Sequence, residues 1–219
     1  KTYQTEAMRL IEQFMLEANE TVARHCAKIK APILYRIHPH PDLRKLKQLQ
    51  KTFWFFGIST KLSQLEDPHQ FNQILEELKE LPNRDQLQIM LLRCMSLATY
   101  SIRNEGHFGL AAPYYAHFTS PIRRYPDLLL HRMLKQEIKA KQTGQKAKYL
   151  TLSDTIAEHL SQQERKASAA ESQGLNFMKV LFLVPYLGKV LNAKIVSIGA
   201  EALTVEFTTS FIEFSIPLA

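Results

Sequence analysis

The chain has 219 residues, 45% of them hydrophobic, which is enough to bury a real core and to hold one domain plus part of another. A formal charge of +7 suits a polyanionic partner without proving one, and two cysteines allow one disulfide at most. There is no signal-peptide pattern, and the apolar stretch 177–191 is interrupted by Lys179, Pro185 and Lys189, so a membrane span is excluded and a cytoplasmic protein is expected.

Residues 5–30 place Met8, Ile11, Met15, Ala18, Val22 and Cys26 at helical spacing, and Pro32 ends that helix. Residues 42–55 and 68–80 predict two further amphipathic helices, the second capped by Asp67 with Pro68 at its first position. Residues 85–98 are the most apolar, with Leu87, Met90, Leu91, Met95 and Ala98, and predict a core helix. Gly106, Gly109, Pro113 and many aromatics favour loop and short strand over 106–118. Long helices are expected from about 126 to 141 and from about 151 to 184. Pro126 would clash with a helix begun at Pro121, so a kink or restart is expected there. After Pro185 the pattern alternates with period two over 188–198, 203–207 and 211–216, with a turn at 199–202. Cys26 and Cys94 lie in apolar helical surroundings and lack a second-Cys spacing for zinc, so buried free thiols are expected. His38-Pro39-His40 has no further ligand at a suitable spacing and reads as a turn.

The most informative stretch is residues 114–132, which contains Ala-His-Phe-Thr-Ser-Pro-Ile-Arg-Arg-Tyr. Thr119 or Ser120 can cap a helical turn whose first position suits Pro121, and Arg123 and Arg124 follow at once. A helix N-terminus beside two guanidiniums makes a site for phosphate, although a capped surface turn with solvated arginines would read the same. Residues 121–150 carry eight Lys and Arg against two acids, so the positive charge concentrates on and just after this stretch. A phosphate-tracking groove needs that distribution, while the lysines of 139–148 also fit a solvated loop.

Extended by Asp127, His131 and Arg132, the stretch resembles the signature of the ribonuclease II and ribonuclease R family, closer to the ribonuclease R branch. The resemblance continues in Gly106-His107-Phe108-Gly109-Leu110 and in Leu91-Leu92-Arg93-Cys94-Met95. It also takes in residues 10–19, similar to a long helix of the catalytic domain, and residues 34–38, where that family has a short strand. It implies an α+β fold: residues 1–186 as the mainly helical carboxyl-side part of the catalytic domain, and 187–219 as the first strands of an incomplete OB-type RNA-binding barrel. It also implies a monomeric, magnesium-dependent 3′-to-5′ exoribonuclease that degrades single-stranded RNA to nucleoside 5′-monophosphates. The metal ions of that family sit on clustered aspartates in the first half of the domain. Here no Asp-x-Asp or Asp-Asp occurs, Glu76, Glu77 and Glu80 lie in an amphipathic helix, and Glu66 and Asp67 read as a helix start. Since two-metal hydrolysis needs converging carboxylates, this chain is expected to hold no metal ligands and to be inactive alone.

By the same resemblance, Arg123 reaches the scissile phosphate and stabilises charge in the transition state, a contribution of about 10²–10³ in rate. Arg124 binds a flanking phosphate or makes a surface ion pair. Thr119 and Ser120 touch the RNA backbone or only cap, and His117 and Tyr115 are candidates for the pocket wall. Glu12 lies where the family has a carboxylate near the 3′-terminal nucleotides, able to accept from a base amino group or a ribose 2′-OH. Asp127 and Arg132 read as structural. One departure is that Glu164-Arg165 is kept on the last helix while a second acidic-basic pair reads Glu171-Ser172. Two alternatives stay open: a non-catalytic RNA-binding paralogue, and a helical protein-interaction domain with incidental basic charge.

Overall fold

In the computed structural model, which describes residues 5–81, 84–199, 202–208 and 212–218, the Thr5 side chain accepts from Met8 N and opens helix α1, Glu6–Lys28. The apolar stripe of α1 is in the expected phase, but only its C-terminal half is covered: Asn19, Ala23 and Cys26 are buried, whereas Met8 and Ile11 are each 56% exposed. The chain turns through Lys30 into strand β1, Tyr35–Ile37, which pairs antiparallel with β2, Thr99–Ser101. That register sets Arg36 directly opposite Tyr100.

Between the two strands lies a helical layer. Asp42 caps α2, Leu43–Phe55, and a short α3, Leu62–Glu66, follows that the periodicity did not suggest. The α4 helix, Pro68–Glu77, starts as read, with the Asp67 carboxylate accepting from Gln70 N at 2.8 Å and Pro68 in the first turn. The α5 helix, Arg84–Arg93, is shorter than the expected 85–98 because its end tightens: Cys94 N and Met95 N bond three residues back, to Leu91 O and Leu92 O. Leu46, Leu49, Phe53, Phe71, Ile74, Leu87 and Leu91 share one apolar core with Phe108. Around Phe108 no strand forms. Residues 108–110 make a 3₁₀ turn, and His107 makes isolated bridges to His38 and Ala112.

Helix α6, Tyr125–Thr143, ends at Gly144 in the left-handed region (φ +66°), and α7 spans Asp154–Leu183. The chain divides into two compact units, residues 1–163 and 164–219. The division falls inside α7, before the change of sequence character at Pro185, since Ala157 and Ser161 are the buried residues of that helix. In the first unit, Tyr100 N donates to Ser161 Oγ at 2.9 Å, tying β2 to the start of α7. In the second, β3 (Ala193–Ile198), β4 (Ala202–Phe207) and β5 (Glu213–Pro217) form an antiparallel sheet in that order, with a register slip between Ile195 and Ser197. Ala200 and Glu201 of the expected turn, and Phe211 of the third alternating run, lie outside the described residues. Segregated helices and small antiparallel sheets make this an α+β fold, as the sequence implied. No helix among the described residues is long and apolar enough to cross a membrane.

Candidate nucleic-acid interface

Pro126 decides the local structure of the signature. Lacking an N–H, it cannot return a bond to the carbonyl four residues back, and its ring crowds that carbonyl. The backbone therefore makes a turn over 121–123, with Arg123 N and Arg124 N both donating to Ser120 O (3.3 and 3.0 Å), and the helix begins only at Tyr125. Capping also runs opposite to the expectation. Neither Thr119 nor Ser120 caps a helix; instead, the Asp127 carboxylate in the first turn of α6 reaches back and accepts from Ser120 N at 2.8 Å. A carboxylate at this end of the helix gains from the dipole as well as from that amide.

The two arginines have different surroundings. Arg124 Nη2 donates to Asp127 Oδ1 at 2.7 Å, with the arginine side chain 22% exposed and the aspartate fully buried. The residue expected to meet a flanking phosphate is thus engaged with the chain's own carboxylate, in a pair more buried than a surface one. Arg123 is exposed and has no ion pair among the described residues, and its neighbour Ile122 is fully exposed. Asp127 is structural, as read, and it holds the turn that presents Arg123.

The segment before the turn is fixed from both sides. Asn19 on α1 donates through Nδ2 to Tyr115 Oη (3.0 Å) and accepts from Phe118 N (2.9 Å). On α6, His131 Nε2 lies 2.9 Å from Phe118 O, and its ring stacks on Phe118 at 4.3 Å. Glu12 is seven residues before Asn19, hence on the same face of α1 and about 10 Å along its axis, in the exposed half of the helix. Thr119 and Ser120 are half-buried.

Cationic groups and neutral imidazoles meet beside this segment. Arg36 lies over the Tyr100 ring at 4.8 Å, the outcome of their cross-strand pairing. Tyr100 Oη is 2.9 Å from His117 Nδ1. Burial, reinforced by the charges of Arg124, Arg36, His107 and Arg123, pushes His117 down to about 3. Burial, followed by His38 and Arg36, takes His107 down to about 4. Both are neutral at physiological pH, so the fixed charge of the cluster belongs to the arginines. His38 is a clasp. Its Nδ1 accepts from Gly109 N (2.9 Å), so Nε2 carries the proton toward Ser96 O at 2.6 Å. A Cβ on Gly109 would sit 2.8 Å from His38 Nδ1, so only glycine permits this approach. His40 packs on Phe108 at 5.1 Å.

Among the described residues no three of His, Cys, Asp and Glu converge as a metal ion would need. Cys26 is a free, buried thiol pushed up to about 12 by burial, hence inert, and Cys94 is likewise free and buried. What the cluster can do chemically is hold an anion. Sequence reading missed Arg36 and Tyr100. Only their opposition across the β1–β2 pair brings them here, and no local pattern marks it. Asn19 carried a fainter signal, an amide on the apolar face of α1.

A protein-family model described as the RNB domain matches residues 1–140. Ribonuclease R of Aquifex aeolicus is 37% identical over 207 residues, which are 94% of this chain and 29% of that protein. Ribonuclease R of Mycoplasmopsis pulmonis is 41% identical over 202 residues, 90% of this chain and 28% of its own length. The chain therefore spans less than a third of these relatives. Among solved structures, RNase R of Mycoplasma genitalium in complex with ribose-methylated single-stranded RNA superposes with a TM-score of 0.80 at 27% identity, over 99% of this chain and 34% of that one.

Proposed function

The chain belongs to the RNB-domain family, and on that premise we propose that it forms the carboxyl-side part of a hydrolytic 3′-to-5′ exoribonuclease acting on single-stranded RNA. Its contribution to that enzyme is a phosphate clamp and one wall of the RNA channel. The observation that carries this reading is the contrast within the signature: Arg124 is locked onto buried Asp127, while Arg123 projects from the same turn without an ion pair among the described residues.

Arg123 engages the scissile phosphate. Its planar fork meets two non-bridging oxygens and gains strength as charge develops on them. Because the turn is held by Ser120 and Asp127 before any substrate arrives, little reorganisation is needed at the moment of reaction. Arg124 acts through that turn and is a positioning residue. Arg36 and neutral His117 line the anion's surroundings, and Thr119 and Ser120 offer half-exposed hydroxyls to the sugar–phosphate backbone. Glu12 stands along α1 toward the 3′-terminal nucleotides. Magnesium belongs to the complete protein, on residues other than those described, and this chain alone does not hydrolyse RNA.

In the complete protein, Arg123→Lys keeps the charge and loses the fork. Single-turnover hydrolysis is expected to fall about 10²-fold, with little change in RNA affinity. Equal loss of affinity with unchanged hydrolysis would reduce Arg123 to an ordinary phosphate contact. Absence of any hydrolysis by the complete wild-type protein with magnesium would favour the non-catalytic RNA-binding reading.

A further inference from the structure

Helix α2 has two faces of different chemistry. Leu46, Leu49 and Phe53 enter the core, and on the opposite side Arg44, Lys47, Lys51 and Phe55 recur at helical spacing, with Trp54 beside them. The two aromatics are on the solvent side, Trp54 72% and Phe55 80% exposed, and the helix contains no carboxylate. Their rings meet edge to face at 5.5 Å and border a groove of about 390 Å³ lined by Gln50, Lys51, Ile58 and Ser59. The far wall of that groove is anchored: Gln50 Nε2 donates to Thr60 O at 2.7 Å, and Ile58 N to Phe53 O at 2.9 Å.

We propose that this end of α2 is a second RNA-binding site, a platform on which unpaired bases stack against Trp54 and Phe55 while the adjoining phosphates lie along Lys51 and Lys47. The site shares no residue with the Arg123 turn, and its assignment to RNA rests on the functional reading above. Stacking on aromatics flanked by cations is the sequence-tolerant way to hold a single strand, worth about 1–3 kcal/mol per base. Charge selects this occupant over a protein surface, since lysine is depleted at protein interfaces and is the usual partner of a phosphate chain. A lipid surface fits less well, because the apolar face of α2 is spent on the core and its outer apolar residues, Leu43 in the first turn and Trp54 and Phe55 in the last, are separated by Lys47 and Lys51.

Trp54 is the only tryptophan in the chain, so its emission reports on the platform directly. A short oligoadenylate added to the 219-residue chain is expected to quench Trp54, and inorganic polyphosphate, which has no bases, is not. Phe55→Leu and Lys51→Glu, both at exposed positions, should each weaken oligoadenylate binding about tenfold. The quench should survive Arg123→Ala. Anisotropy of a labelled oligoadenylate separates the possible failures. Binding by anisotropy without quenching, and unchanged in Trp54→Leu, overturns the platform and leaves the RNA reading standing. No binding by either readout overturns both.

Discussion

Around α2, α4 and α5 burial falls on Leu, Ile and Phe, whereas around residues 114–131 it falls on Asn19 and Asp127 as well, beside the half-buried imidazoles of His107, His117 and His131. The first region needs only volume of the right shape, because apolar contacts are non-directional and cores tolerate volume-conserving exchange. The second is directional. Asn19 Nδ2 and Oδ1, Asp127 Oδ1 and Ser120 N each have a named partner to lose, so the geometry they set is fixed more tightly and its disruption costs more. A loop that must present one guanidinium to a ligand is well served by the second kind of support, and the helical layer is free to carry exposed aromatics on its outside.

Asp127→Ala tests the directional region most severely. It leaves the Arg124 guanidinium without its carboxylate and Ser120 N without its acceptor, a loss of about 3–5 kcal/mol in chemical denaturation. A cost below about 1 kcal/mol would mean that the pair carries no more than a surface ion pair does. Acid is expected to act next. His117 and His107 have folded-state values near 3 and 4, below the ordinary 6.5 of an unfolded histidine. The native state then refuses protons that the unfolded chain accepts, so their contribution is complete above about pH 6.5 and declines as pH falls toward the folded values. The loss should be on the order of a few kcal/mol by about pH 4, read as a falling melting temperature that His117→Phe makes shallower. A melting temperature flat across that range would show that these imidazoles are not held neutral by the fold. The smallest effect belongs to the apolar layer, where Ile74→Val removes one buried methylene and should cost about 0.5–1.5 kcal/mol. If it cost as much as Asp127→Ala, the contrast between the two regions would fail.

Much of the helical layer was legible from sequence because its signals are local. Asp67 and Pro68 begin α4 as read, and the buried face of α2 follows directly from its periodicity. The N-terminal half of α1 has the same periodicity and yet stays exposed, since a stripe specifies which side could be buried and not whether anything covers it. The site divides the same way. Arg123 stood out through the motif around it, and the resemblance already gave Arg124 a different role, but the buried Asp127 carboxylate that engages Arg124 was not read from the sequence.

By itself the sequence determined the longer helices in their order, the start of α6 beside Pro126 and the stretch in which an anion would be met, all of which depend on covalent geometry and short-range spacing. Only the tertiary structure decided which arginine faces outward. That choice depends on the Asp127 carboxylate, which a single turn of α6 brings within 2.7 Å of Arg124 and which full burial leaves in need of a cation. It likewise decided that Arg36, 64 positions before Tyr100 in sequence, shares the site with it, since pairing across a sheet follows from the path of the chain and leaves no mark in the residues near either partner.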